Sequence, residues 1–376
     1  MDLTLNDDHL ALREAVRRCC DGEYPAPQRG VPEDEALSAQ RQAALAGLGL
    51  FGLQLPESHG GSGLGPVEAM LAGHELGRAL AGPAWLAGTA LVAPLLQALG
   101  SEQQQQRWLP ALASGQLRAA LACEEAHARW DALDLRTQAG QDTEGWRLDG
   151  AKTGVLGGDA ADLLLVLALA PAGPTLFAVA ADAAGLQRRS HRLIDGRGAA
   201  HLQLQSVRAE VVGPPGGAAA ALGQALDQAG AALVADTAGA AEALLELTLE
   251  HLRTRRQFGK PLAAFQALQH RVADQAVALE QLKSMACVAA LSLLAADDAE
   301  RVRGVAAART LAAQLGRRAA LDAIQLHGAM GMTEECAAAR YAKRLLANGA
   351  LFGDAAFHRQ RFAALQVQPD AQGDRT

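Results

Sequence analysis

Apolar residues recur at three- and four-residue spacing through the first 116 or so positions and again beyond position 216, while the stretch between alternates short apolar runs with turns. Asn6-Asp7-Asp8 is a polar trio suited to capping a helix, and Leu10, Leu12, Ala15 and Val16 follow it at helical spacing. Two further helices are predicted from Pro66 to Leu80 and from Trp85 to Leu99. The glycine-rich segment from Gly47 to Gly63 reads as an inter-helix loop, since glycines without a preceding strand are a weak phosphate signal. From Leu117 to about Gly213 the runs Ala119–Ala122, Trp146–Leu148, Ala161–Ala168, Thr175–Ala180 and His201–Leu204 predict short strands of a small β-barrel or sandwich. Gly213-Pro214-Pro215-Gly216-Gly217 closes that unit. A helix from Ala218 to Arg253 would then reach roughly 50 Å. Pro261–Ala296, Ala299–Gly328 and Thr333–Gln366 supply three more helices, so the pattern reads as an antiparallel bundle. The expected architecture is mostly α with a central β-barrel: an N-terminal α-helical domain (1–116), a middle β-barrel domain (117–215) and a C-terminal four-helix bundle (216–376).

Composition narrows the setting. Half of the chain is apolar but only 3% is aromatic, and this excess of Ala and Leu favours helix over sheet. The net charge of −7, without a long run of either sign, argues against nucleic acid or an anionic membrane surface as the main partner. Cys19, Cys20, Cys123, Cys287 and Cys336 are scattered without metal-ligand spacing and read as reduced thiols, with no metal site. The acidic start lacks the basic-then-apolar order of a signal peptide, and no apolar run nears the roughly 18 residues of a membrane span. A cytoplasmic location is expected.

The segment Thr254-Arg255-Arg256-Gln257-Phe258-Gly259-Lys260-Pro261, followed by Phe265-Gln266, puts two guanidinium groups, an amide and a ring where one long helix stops and another starts. Gly259 can supply a positive-φ stop, and Pro261 suits the first turn of the next helix. The plain reading is a helix corner whose arginines complement the helix dipole. A second segment, Gln325-Leu326-His327-Gly328-Ala329-Met330-Gly331-Met332-Thr333-Glu334-Glu335, changes that reading. Together with Ala122-Cys123-Glu124-Glu125 and the stretch Gly150–Asp162, these segments resemble, in order, the acyl-CoA dehydrogenase family. The likeness is greatest to bacterial chains that serve as the small or partner subunit of paired dehydrogenases.

The resemblance implies FAD held without a dinucleotide-binding βαβ fold, an acyl-CoA substrate and an electron-transfer flavoprotein as acceptor. In the family a glutamate removes the α-proton of the thioester while a hydride leaves the β-carbon for the flavin. The two family positions for that base fall at Ala229 and Phe352, neither of which accepts a proton; Asp236 and Asp354 are the nearest alternative acids. At the flavin ring a tryptophan is replaced by Gly154, a hydroxyl residue by Leu156 and a threonine by Cys123, and Glu124-Glu125 stands for an acid-proline pair. The nucleotide tail keeps its residue types: Arg255 for the pyrophosphate, Gln257 and Phe258 beside it, Gln266, and Gln325 with Gly328 on the adenosine side. Family dimers lend these tail residues to the neighbour's FAD. The resemblance therefore implies a chain that completes the FAD site of a homologous subunit, in a dimer or heterotetramer assembled through the bundles.

Two other readings stay open. One is a self-sufficient homomeric dehydrogenase using a non-standard carboxylate, and the other is a structural subunit that binds no substrate. His327 reads as a packed loop histidine or a catalytic one, Arg188-Arg189-Ser190-His191-Arg192 as a solvated basic turn or a contact for CoA phosphates, and Arg340-Tyr341-Ala342-Lys343-Arg344 as bundle surface or an approach to a partner's cofactor. Fatty, dicarboxylic and steroid side-chain acyl groups are all compatible with the sequence.

Overall fold

Five helices form the N-terminal region: α1 (Asp7–Glu23), α2 (Glu35–Gly47), α3 (Pro66–Ala79), α4 (Ala93–Leu99) and α5 (Glu102–Ala113). This computed structural model describes residues 4–31 and 33–365. At the start of α1 the Asn6 side chain accepts a hydrogen bond from the His9 N–H at 2.8 Å, and Ser101 with Gln104 forms the reciprocal capping pair of α5. The sequence reading did not resolve α2 and α5. Each presents a thin apolar stripe: α2 buries only Arg41 and Leu45, and α5 is opened by a run of glutamines. The single helix expected over Trp85–Leu99 is instead a wholly buried π-helical stretch, Trp85–Val92, running into α4. Pro94 lies in the first turn of α4, where its missing N–H leaves no helical bond broken.

Arg41, midway along α2, ties that helix to the end of α1. Its guanidinium lies 4.3 Å from the Tyr24 ring centroid and donates to Glu33 at 2.6 Å, the Glu23 carbonyl at 2.9 Å and Gln28 at 3.1 Å. These bonds let a charge sit 98% buried without the cost of an unpaired one.

The strands are β1 (Ala119–Ala122), β2 (Gln138–Asp142), β3 (Gly145–Leu156), β4 (Leu163–Ala170), β5 (Gly173–Ala180), β6 (Leu186–Arg192) and β7 (Gly198–Val212). Neighbours run β1-β4-β2-β3-β7-β5, and β5 pairs back onto β4, so the sheet closes into a small barrel with β6 added beside β7. Leu148, Leu164, Val166, Phe177, Leu202 and Val207 fill it. The basic stretch expected as a solvated turn is strand β6. Arg188 turns inward from it, and its guanidinium donates to the carbonyls of Gly158, Asp159, Ala161 and Ala181.

The chain divides into two units. One comprises the chain up to Ala72 with Ala79–Ala229; the other holds Gly73–Arg78 and the chain from Gly230 onward. In the second unit lie most of α6 (Ala218–Thr254), then α7 (Gln266–Ser292), α8 (Asp298–His327), α9 (Ala337–Asn348) and α10 (Ala355–Ala364). Two sequence expectations need correction here. Pro261 does not open the long helix α7; it pairs in a two-residue hairpin, β8 (Arg256–Gln257) with β9 (Lys260–Pro261), turned by Phe258 and Gly259 at φ 51° and 79°, and leads into a single 3-10 turn, Leu262–Ala264. The last helix, expected unbroken from Thr333 to Gln366, is two helices. Phe352 and Gly353 take positive φ, and Asp354 then caps α10 by accepting from the Ala356 and Phe357 N–H groups. Gln366 lies outside the described residues.

Within the second unit, residues 73–78 meet α6 backbone to backbone. A Cβ built on Gly239 would sit 1.9 Å from the His74 carbonyl oxygen, and one on Gly77 would sit 2.2 Å from that of Asp236. No rotamer relieves a clash with backbone. Gly239→Ala should therefore lower stability by about 2–3 kcal/mol in urea unfolding, whereas Gly223→Ala, whose Cβ meets nothing within 4 Å, should raise it by about 0.5–1 kcal/mol. Equal effects from the two would contradict this packing.

Candidate functional site

On the barrel side, the segment after β1 and the end of β3 form one wall. Glu125 is buried there and accepts from Lys152 Nζ at 2.7 Å, the Arg136 N–H at 2.8 Å and the Thr137 N–H at 3.1 Å. Burial alone would push its carboxyl up, but Lys152 and those N–H donors outweigh it and hold the acid below its usual range. Lys152, completely buried, is in turn pushed down by burial against the support of Glu125. This pair pins the segment to β3, and the Glu124 carbonyl accepts from the Thr153 N–H at 2.9 Å.

With Lys152 committed to Glu125, the neighbouring Glu124 has no ion pair or side-chain hydrogen bond among the described residues, and burial pushes its carboxyl up to about 7. The space beside Gly154 is not the open void that its sequence suggests. A Cβ built there would meet the Glu124 Oε2 at 3.6 Å, and Gly154 itself is at φ 63° with its N–H donating to His201 Nδ1 at 3.4 Å. Cys123 is buried and its thiol is pushed up to about 12, by burial first and the Glu124 charge second, which leaves it protonated and unreactive. Leu156 is buried and offers no donor. The sequence did flag Glu124-Glu125. What it could not show is which glutamate wins the single lysine.

The tail residues lie in the second unit. Arg255 follows the end of α6, exposed and without a side-chain bond or ion pair among the described residues. Gln257, Gln266 and Gln325 are exposed as well, and Gly328 ends α8 at φ 65°. Phe258 is 89% exposed, held edge-on to Phe265 at 6.2 Å. The two segments that carry these groups are coupled by a contact the sequence reading did not see. His251 in the last turn of α6 stacks on the buried His327 at the end of α8, centroids 4.5 Å apart. His327 Nδ1 is 2.9 Å from the Ala323 carbonyl, a packed role that fixes the ring. Burial, then the His327 and Arg255 charges, hold His251 below the usual imidazole range.

At the two base positions, Ala229 is fully buried on α6 and Phe352 sits in the turn before α10. That turn is held by Arg309, almost fully buried, which donates to the carbonyls of Leu351 at 2.6 Å and Gly353 at 3.2 Å. Burial pushes Arg309 down to about 10, and its neighbour His358 is pushed down to about 3 by burial and by the Arg309 charge. Nothing in the sequence marked Arg309. Of the alternative acids, Asp236 accepts from Asn348 Nδ2 at 2.6 Å and Arg344 Nε at 3.1 Å, and Asp354 is the cap of α10. Both have their lone pairs engaged by structure. In the Arg340–Arg344 stretch Arg340 donates to the Glu334 carbonyl and Lys343 pairs with the Glu334 carboxylate. Among the described residues no cluster of His, Cys, Asp or Glu could hold a metal ion, and no helix is long and apolar enough to cross a membrane.

Two measurements test this wall. A carboxyl raised from about 4.5 when unfolded to about 7 when folded costs nothing below pH 4.5, progressively more between, and its full penalty above 7. Glu124→Gln should thus gain roughly 1–3 kcal/mol over the native chain at pH 8 and almost nothing at pH 4.5, read as melting temperature against pH. A gain independent of pH would contradict the assignment. Lys152→Met should lose about 3–5 kcal/mol by urea unfolding, because it strands the Glu125 charge in the interior.

Similarity to known proteins agrees with this geometry. Residues 6–116 match the acyl-CoA dehydrogenase N-terminal domain, and residues 216–365 match the acyl-CoA dehydrogenase C-terminal domain. An acyl-CoA dehydrogenase of Bacillus subtilis (strain 168) is 30% identical over 348 residues, 88% of this chain and 90% of the relative. Among solved structures, a Tcur3481–Tcur3483 steroid ACAD variant superposes with a TM-score of 0.87 at 30% identity, covering 96% of this chain and 98% of that one. The ChsE4–ChsE5 complex from Mycobacterium tuberculosis gives 0.86 at 25% identity, covering 99% and 100%. With both terminal domains matched and the relatives covered nearly end to end, the chain belongs to the acyl-CoA dehydrogenase family of oxidoreductases.

Proposed function

We propose that this chain takes part in FAD-dependent α,β-desaturation of an acyl-CoA thioester as the partner of a catalytically complete homologous subunit, whose FAD it grips by the nucleotide tail. The observation that carries this reading is an asymmetry of fit. The tail residues form an exposed donor set: an uncommitted guanidinium at Arg255, the amides of Gln257, Gln266 and Gln325, and an almost naked ring at Phe258. Such groups suit a pyrophosphate and the nucleotide beside it. The ring wall does not suit an isoalloxazine. It offers a half-buried carboxyl beside Gly154, a buried leucine where a donor is needed and a protonated thiol.

FAD, when bound, supplies the acceptor for the hydride. This chain's own residues would orient its phosphates and adenosine and keep the corner of α6 in register with the end of α8 through the histidine stack. With Ala229 and Phe352 at the base positions, proton removal falls to the other subunit, and a positioned base is typically worth on the order of 10²–10⁴ in rate. Two of the solved neighbours bear the names of protein pairs, one of them described as a complex, which favours a paired assembly. An electron-transfer flavoprotein is the expected acceptor. The acyl group is open among fatty, dicarboxylic and steroid side-chain types, and a cytoplasmic setting is expected.

The test is co-expression with an acyl-CoA dehydrogenase chain of the same organism that carries glutamate at the position of Phe352 or Ala229. The purified pair should be yellow and active, and this chain alone colourless. Arg255→Ala in the pair should weaken FAD retention roughly tenfold or more, the loss of a charge-assisted contact of about 1.5–3 kcal/mol, as read by dialysis and flavin absorbance. Stoichiometric FAD and turnover in the isolated chain would overturn the proposal.

A further inference from the structure

We propose that the first unit holds a second small-molecule site, unrelated to the flavin, for a compact alicyclic or aromatic molecule bearing a carbonyl or hydroxyl group. A cavity of about 520 Å³ lies between the helical layer and the rim of the barrel. The cavity is partly open to solvent, and its size falls within the roughly 300–1,000 Å³ usual for binding pockets. The lining contains neither the ring-wall residues Cys123, Glu124 and Gly154–Leu156 nor either base position, although Gly157 follows directly on that wall.

Its construction favours a ligand over collapse. One side is apolar, with Leu45, Phe51, Leu80 and Trp85, Gly88 lines it without a side chain, and charged groups such as Arg118 and Asp159 stand at the barrel rim. The π-helical stretch Trp85–Val92 contributes Trp85, Gly88 and Thr89 to the lining, and such extra-residue turns frequently mark functional sites. The walls are braced. Arg41 is locked to Glu33, Arg188 to four backbone carbonyls, and the Thr89 hydroxyl to the Phe51 carbonyl at 3.2 Å. At the barrel rim the Asp159 carboxyl lies directly over Gly198, where a Cβ would sit 1.9 Å from Oδ2, and burial holds that acid above its usual range.

Trp85 adds the specific signal. It is 94% buried and lines the cavity, and its indole N–H, itself shielded, has no acceptor among the described residues. A buried donor left unmade costs about 1–3 kcal/mol, and a ligand oxygen would recover it once the ring turns its N–H into the cavity. An apolar body against Phe51 and Leu80 with one acceptor toward Trp85 is the chemistry these walls select.

The probe is 2-adamantanone, titrated into the full-length chain by calorimetry and by melting temperature. Saturable binding with a rise in melting temperature is expected. Gly88→Leu, whose new side chain enters the cavity past Leu112 at 3.8 Å, should abolish binding while keeping the native melt, and Trp85→Phe should weaken it about tenfold. No binding at millimolar ketone, or binding indifferent to Gly88→Leu, would overturn the proposal. A third arm uses the CoA thioester of adamantane-1-carboxylic acid. If that thioester binds in a Gly88-dependent way and the free ketone does not, the cavity is a tail pocket for the acyl substrate and the separate site is refuted. None of these outcomes depends on where the flavin sits, so the partner-subunit reading stands or falls independently.

Discussion

The buried ion pair between Lys152 and Glu125 decides what the barrel wall of this chain becomes. One lysine is available inside, two adjacent glutamates compete for it, and Glu125 takes it along with two backbone N–H donors. Satisfied in this way, the pair is tolerable in the interior and locks the segment after β1 onto β3. The consequence falls on Glu124. Deprived of a counter-charge, it is left beside Gly154 as a carboxyl that burial drives toward neutrality. A wall of that composition is a poor bed for a flat aromatic ring.

The second unit shows the opposite economy of groups. Its interior charges are neutralised where they must be: Asp236 by Arg344 and Asn348, Glu242 by Arg78 and Lys283. Its corner, by contrast, displays a cation and amides with no side-chain bond among the described residues, and a phenylalanine that is 89% exposed. Exposed aromatic surface next to an unpaired guanidinium is what a contact with another molecule requires. Put together, the two units differ in kind: one buries a carboxyl beside Gly154, and the other displays exposed polar groups at the corner after α6.

Much of this was legible in the sequence because it is written in residue types at fixed spacing. The long helices, the short-stranded middle and the motifs around Arg255 and Gln325 follow from periodicity and resemblance alone. Other features depend on which partner a residue finds in space, and spacing is silent there. The break at Phe352 and Gly353 was hidden because alanine and leucine continue on both sides. The β6 strand was hidden because its arginines look solvated, when Arg188 in fact turns inward to backbone carbonyls. The histidine stack joins residues 251 and 327, too far apart for any local pattern to report. Arg309 gave no signal at all, since a lone arginine in an alanine-rich helix reads as surface.

The most direct test of the central claim is a structure of this chain together with its catalytic partner and FAD. The pyrophosphate should lie at Arg255 of this chain, with the isoalloxazine against the partner's barrel and the partner's carboxylate over it. An isoalloxazine seated on Gly154 of this chain, with Glu124 displaced, would contradict the account.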